Sequence, residues 1–372
     1  MAGEMDVAEG LNFLVKKDDL HEHRWQREAL PEQLGANEVL LAVSAFALTA
    51  NNITYAVMGE RMSYWRFFPA EEGWGRIPVW GFADVVSSNH PDVEPGERLY
   101  GYFPMSSHLV IQAGKVTERG LVDMSANRSE LPGVYNQYVR TSNDPSYDGG
   151  AQDGAGEDVQ MLYRPLFMTS FILDDFLEVN DFFAARSVIL TSASSKTSLG
   201  LAFLLHANRA ERTQVIGVTS AANTKFVASL GCYDQVRSYQ EIDAIARTPS
   251  VIVDMAGDGA VLAALHNHLR GELKYSCLVG ATHWEERQGA RDMAGPQPEV
   301  FFAPSHIQAR TKDWGPGGLE ARFAGAWRAF TGAARDWIDV EHGEGRRAVE
   351  DVYRRVLDGK APPDKGYVLS IR

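Results

Sequence analysis

Hydroxyl side chains and one lysine crowd the stretch Thr191–Gly200, TSASSKTSLG, which follows the apolar run Ser187–Leu190 and precedes LAFLLH. A strand, a tight turn of small residues and a helix together make a phosphate cradle. Backbone N–H groups can then approach the anion, and the helix N-terminus favours negative charge. Ser192, Ser195 and Ser198 stand at three positions, spaced by three, where a glycine-rich fingerprint would hold glycine. Serine resists the positive φ that glycine adopts freely, but it offers a hydroxyl to an anion. Lys196 and Thr197 add a cation and a further donor at the helix start. A polar N-cap turn with a solvated lysine has the same composition, and this stretch alone does not choose between the two.

A second loop narrows the chemistry. VIGVTSAANTKFVASLG, residues 215–231, reads as a strand ending at Val218, followed by Thr219, Ser220, Asn223 and Lys225 before a helix. An NAD site of this type places an acid here for the ribose 2′-hydroxyl, whereas a 2′-phosphate needs hydroxyls and cations. No acid occurs from Thr219 to Lys225, which points to NADP in preference to NAD.

The elements that must position these loops follow from the hydrophobic period. From about Tyr163 the pattern predicts a helix over 167–177 and then strands at 187–190, 214–218, 235–236, 250–254 and 274–279. Helices at 199–207, 223–230 and 259–269 lie between them. Alternation of this kind specifies an α/β fold with a doubly wound parallel sheet. Before it, Glu38–Thr49 and Val79–Ile111 read as short strands broken by turns such as Glu94-Pro95-Gly96-Glu97, a β-rich unit. The stretch at about 143–158, NDPSYDGGAQDGAGED, has little apolar content and reads as an acidic, Gly-rich mobile surface insertion at the boundary between them. A helix at 346–357 and a strand at 366–371 close the chain.

At 372 residues the chain is long for one core, and its composition is that of a soluble globular protein. A formal net charge of -13 argues against nucleic-acid binding, which needs clustered cations. Two cysteines, Cys232 and Cys277, are too few for a disulfide framework or a four-thiolate zinc site and fit a reducing, cytoplasmic setting. The N-terminal residues lack the pattern of a secretory signal, and no run is long and apolar enough to span a membrane.

Taken in order, EVLLAVSAFALTANNITYAVMG, the EPGERLYGY turn, TSASSKTSLG, VIGVTSAANTKFVASLGCYDQV, SVIVDMAGDGAVLAAL, KYSCLVG and the closing RRAVEDVYRRVLDGKAPPDKGYVLSIR resemble one family. It is the zinc-free, quinone-oxidoreductase-like branch of the medium-chain dehydrogenase/reductases. Within that superfamily the sequence looks most like the DUF2855 proteins, in which serine and lysine stand in the nucleotide loop. The resemblance implies a GroES-like N-terminal domain over 1–162, a Rossmann domain over 163–305 that binds NADP, and a C-terminal segment, 306–372, returning to the N-terminal domain. It implies a homodimer as well. By position, Ser194, Ser195, Lys196, Thr197 and Ser198 would face the pyrophosphate, and Ser220 and Lys225 the 2′-phosphate. Ala256, Gly257, Gly280 and Ala281 would border the nicotinamide. The missing loop glycines, the acidic insertion and the long segment 284–344 depart from the family pattern.

Chemistry on the substrate would then fall to the N-terminal domain. Neither cysteine lies there, so no zinc site is expected, and His266 and His268 sit two apart on one helix, a spacing that points them different ways. Without a metal, hydride transfer needs a donor for the oxyanion or enolate that develops. The resemblance places an active-site tyrosine at Tyr55, and Asn51 and Asn52 could bind a carbonyl or the nicotinamide amide, although asparagine is also a good helix cap. Tyr64, Trp65 and Phe68, in an aromatic run that ends at Trp80, could line a pocket for a medium-sized, bulky substrate, aromatic or not, or pack a core or dimer face. The expected activity is NADPH-dependent, zinc-independent reduction of an activated C=C, quinone or ketone. A redox-neutral lyase or isomerase with retained NADP, or a non-catalytic NADP-binding protein, fits the same residues.

Overall fold

A computed structural model describes residues 9–148, 154–208, 213–279 and 293–371. In chain order the strands are β1 (Glu9–Lys16), β2 (His23–Ala29), β3 (Glu38–Ala47), β4 (Trp74–Gly75), β5 (Pro78–Ser88), β6 (Arg98–Pro104), β7 (His108–Thr117), β8 (Gly120–Asp123), β9 (Gln137–Arg140), β10 (Ser187–Thr191), β11 (Gln214–Thr219), β12 (Gln235–Ser238), β13 (Ser250–Asp254), β14 (Leu273–Leu278), β15 (Glu299–Val300), β16 (Asp339–Glu344) and β17 (Lys365–Ser370). The helices are α1 (Ala50–Val57), α2 (Ala155–Val179), α3 (Lys196–Asn208), α4 (Thr224–Ser229), α5 (Gly259–Leu269), α6 (Ala303–Trp314), α7 (Gly318–Trp337) and α8 (Gly345–Leu357). Met1–Leu162 with Ile338–Arg372 form one compact unit, and Tyr163–Trp337 form the other.

In the first unit β3, β5, β6, β9, β8 and β7 pair in that order, and β7 returns to β3, which closes the sheet on itself. Closure removes exposed edges from this part of the sheet and lets one face of each strand fill the interior. The interior is Val39, Leu41, Val43, Val79, Leu99, Phe103, Ile111 and Leu121, all buried. β17 joins β3 antiparallel and β16 joins β17 parallel. The amphipathic α8 lays Val349, Tyr353 and Val356 into the same core.

The second unit carries a parallel sheet in the order β12-β11-β10-β13-β14-β15. Its strands are near-continuous Val, Ile and Leu because helices cover both faces. One face packs Leu199, Leu201, Leu205, Val188, Val215 and Val251 with α2, and the other packs Ile189, Ile216, Ile252, Leu262 and Leu265.

Two sequence expectations are revised. Residues 306–337, expected to return to the N-terminal domain, fall in the second unit with α6 and α7, where Phe330 stacks on Phe167 of α2 and the Phe323 and Trp327 rings pack tilted against it. The stretch at about 143–158, expected to be a mobile surface insertion, has anchored ends. Asp144, Ser146 and Asp158 are buried, and Glu157 meets Arg98 at 2.6 Å, which in turn meets Asp84 at 2.9 Å. Composition alone reads these acids as solvating, but their partners lie far away in sequence.

Candidate nucleotide and substrate sites

The candidate nucleotide loop begins where β10 ends. Ser192 has φ 47, left-handed backbone at the first position where a fingerprint glycine would stand. That conformation is strained for serine, and the surroundings hold it. Tyr233 donates its hydroxyl to the Ala193 carbonyl at 2.8 Å, and the Tyr239 phenol meets both the backbone and the side chain of Ser192. Gly217 makes room for this, since a Cβ there would lie 2.8 Å from the Tyr233 ring and 2.9 Å from Ala193.

The serines divide into two groups. Ser195 caps α3, its Oγ accepting from Ser198 N at 3.3 Å. Ser198 is fully buried and donates to the Thr191 carbonyl at 3.0 Å, so its hydroxyl faces the strand end and not a pyrophosphate. A buried carbonyl at a strand end needs a donor, and Ser198 supplies it. Ser194 stays half-buried, and its Oγ links the two loops, 3.3 Å from Thr219 Oγ1 and accepting from Asn223 Nδ2 at 3.0 Å. Lys196 Nζ lies 5.7 Å above the Tyr163 ring, and Thr197 gives its carbonyl to Ser170 Oγ at 2.7 Å. Lys196 and Thr197 are the first two residues of α3.

At the end of β11, Ser220 precedes a 3-10 turn over Ala221–Asn223, and Lys225 is exposed in the first turn of α4. Across the sheet, Ala256 and Gly257 follow β13, with Gly257 at φ 67. One side chain that the sequence reading did not single out joins them to the loop. Thr191 donates to Asp254 Oδ1 at 2.6 Å and accepts from Met255 N at 2.9 Å and Ala256 N at 3.1 Å. Thr191 and Asp254 are both fully buried. Nothing in the local sequence marks Thr191, because its three partners are 63 to 65 residues away. Gly280 and Ala281 lie outside the described residues.

In the first unit α1 carries the other candidates. Asn52 is buried and fully engaged, with Oδ1 accepting from Thr49 N at 2.7 Å and Nδ2 donating to the Pro78 carbonyl at 2.9 Å. It is a cap for α1, not a free amide. Asn51 is half-buried, and the Tyr55 phenol accepts from Trp80 Nε1 at 3.3 Å. Burial pushes the Tyr55 phenol above its ordinary value against the pull of its polar neighbours Trp80 and Asn51. Tyr64 and Phe68 join Tyr55 in an aromatic cluster, whereas Trp65 belongs to the barrel core. A Cβ on Gly59 or Gly75 would fall 2.0 or 2.5 Å from the Trp65 indole, so the buried ring is wedged between two glycines.

The remaining candidates are structural. His266 is buried, bonded to Ala294 O and Ser276 Oγ at 2.9 Å each, and burial lowers its pKa. His268 lies 2.7 Å from the Ile245 carbonyl. Burial pushes the Cys232 thiol up to about 12. Among the described residues no group of side chains could hold a metal, and no helix is long and apolar enough to cross a membrane.

The family model of DUF2855, a protein family of unknown function, matches residues 46–362. The chain belongs to this family. No curated protein matches it. Among solved structures it is similar to CurA from Vibrio vulnificus in complex with NADPH, with 11% identity, 97% of this chain and 99% of the other covered, and a TM-score of 0.61. It is also similar to Etr1p in a complex with NADP and crotonyl-CoA (9%, 98% and 100%, TM-score 0.57) and to the CurK enoyl reductase (13%, 98% and 99%, TM-score 0.55). These likenesses show the fold: a β-rich domain and a Rossmann-like parallel-sheet domain.

Proposed function

We propose that this protein is an NADPH-dependent, zinc-independent oxidoreductase that transfers a hydride to an activated C=C, quinone or ketone. The observation that carries the reading is the loop after β10. Ser192 takes the left-handed conformation that a glycine would supply, and the N-terminus of α3 follows within four residues. Structures of the same fold were determined with NADPH and NADP, which supports a nucleotide at this loop. Bound NADPH would supply the hydride.

The chain's own residues then have distinct tasks. Lys196 and Thr197, at the N-terminus of α3, face the pyrophosphate. Ser220 and the exposed Lys225 take the 2′-phosphate, a role supported by the absence of any acid from Thr219 to Lys225. Thr191 fixes the turn at Ala256 and Gly257, where the nicotinamide side is expected. In the first unit Tyr55 offers a hydroxyl donor to the oxygen on which negative charge develops. Its raised pKa keeps it protonated at neutral pH.

Calorimetric titration of the intact protein with NADPH and NADH, with Lys225→Ala alongside, tests this reading. We expect NADPH to bind at least tenfold tighter than NADH, and the variant to lose most of that margin, since a charge-assisted bond contributes about 1.5–3 kcal/mol. A nucleotide-free preparation that binds neither would reduce the serine loop to a structural turn.

A further inference from the structure

The loops that follow β10 and β11 are tied to each other by side chains as well as by the sheet. Ala193 N donates to the Val218 carbonyl at 3.1 Å, which extends the hydrogen bonding between β10 and β11 past the end of β10. Beyond that point side chains make the link. Asn223 Nδ2 donates to Ser194 Oγ at 3.0 Å, and Thr219 Oγ1 lies 3.3 Å from the same oxygen. Thr219 is fully buried, and Ser194 and Asn223 are half-buried.

The bond takes the Asn223 amide away from its ordinary local use. Asparagine and serine are strong helix caps. Ser220 precedes the 3-10 turn and Asn223 precedes α4, yet within the described residues neither side chain caps its element. Asn223 has φ -97 and ψ -8, helical backbone and not the extended conformation of a capping residue, and its amide reaches a loop 29 residues back in the chain. The backbone completes the tie, because Asn223 N donates to the Ser220 carbonyl at 2.9 Å. Ser194 stands two residues before Lys196, and Asn223 stands two before Lys225. One hydrogen bond therefore joins the segment that carries Ser220 and Lys225 to the segment that enters α3.

We propose that Asn223 is a positioning residue for nucleotide selectivity. Through Ser194 it holds Ser220 and Lys225 at a fixed spacing from the first turn of α3, so that the pyrophosphate and 2′-phosphate of one dinucleotide meet both loops without further ordering of the chain. NADH lacks the 2′-phosphate and gains nothing from that spacing. The role rests on the NADPH reading given above.

The test is calorimetric titration of the full chain with NADPH and with NADH, for the wild type, Asn223→Ala, Ser194→Ala and the double variant, beside Lys225→Ala. In Asn223→Ala we expect NADPH affinity to fall about fivefold, the size of one neutral hydrogen bond, while NADH affinity stays within about twofold. Retained NADH binding shows that the first loop keeps its fold. Ser194→Ala should narrow the NADPH margin by a similar factor, and the double variant should narrow it no further than either single one, because both changes remove the same bond. Equal loss of both nucleotides in Asn223→Ala would reduce the bond to a loop support, and additive losses in the double variant would put Asn223 on the phosphate itself; either result overturns the proposal. A wild-type margin that Lys225→Ala removes and Asn223→Ala leaves intact would overturn it while the NADPH reading stands. A wild-type chain that binds neither nucleotide would remove both.

Discussion

Replacing Thr191 by valine keeps the shape of a fully buried side chain and deletes one oxygen that makes three hydrogen bonds. The bond to the Asp254 carboxyl contributes about 1.5–3 kcal/mol, and each of two amides left without an acceptor costs about 1–3 kcal/mol. Those terms would sum to roughly 4–9 kcal/mol if nothing moved. The turn after β13 can relax toward water, so we expect about 3–5 kcal/mol, in the range of other broken buried networks. Thr191→Ser keeps the hydroxyl and loses one methyl group, about 1 kcal/mol. Because the chain has two units, global unfolding need not be two-state, and the local readout is hydrogen exchange of the β10 and β13 amides. Faster exchange in the valine variant should accompany at least a tenfold loss of NADPH affinity. If valine and serine variants lie within 1 kcal/mol of each other, on the scale where a tenfold change is about 1.4 kcal/mol, the pinning role of Thr191 is wrong.

Other perturbations probe the frame of the second unit. Burial raises the Asp174 pKa to about 6, with Glu178 and Asp175 adding to the rise and the hydrogen bond from Asn208 opposing it. The folded state therefore holds this proton more tightly than the unfolded chain, and the group's contribution to stability falls as pH rises from about 4 to about 6, by on the order of 3 kcal/mol. Asp174→Asn should flatten that part of the profile, so that the variant gains on the wild type between pH 4 and 7 in urea titrations; a constant difference would contradict the assignment. Asp181, Phe182, Phe183 and Ala184 run through left-handed backbone, with φ between 48 and 55. Ala184→Gly relieves one such residue and should raise stability by about 0.5–1 kcal/mol, whereas Ala185→Gly, one residue beyond the left-handed run, should lower it by a similar amount.

Much of this fold is written locally. Strands β10 to β14 and helices α3 to α5 fall within a few residues of their hydrophobic periods, because a buried parallel strand needs a continuous apolar run and its crossover helix an apolar stripe, whereas α2 begins at Ala155, well before the expected 167, and α6 and α7 were not read from the sequence. The spacing that sets Ser192 at the first fingerprint position was legible too, but that serine adopts the left-handed backbone there was not, because packing around the turn holds it. What sequence could not show is which polar atoms are already taken. Ser198 and Asn52 look free in the chain, yet one satisfies a strand carbonyl and the other caps a helix. Thr191 carries no local mark, because its partners come from distant segments. Hydrophobic period depends on residues three or four apart and is settled by the chain itself. Hydrogen-bond satisfaction depends on what tertiary packing brings within 3 Å, and that decided which residues of this protein are left to act on a ligand.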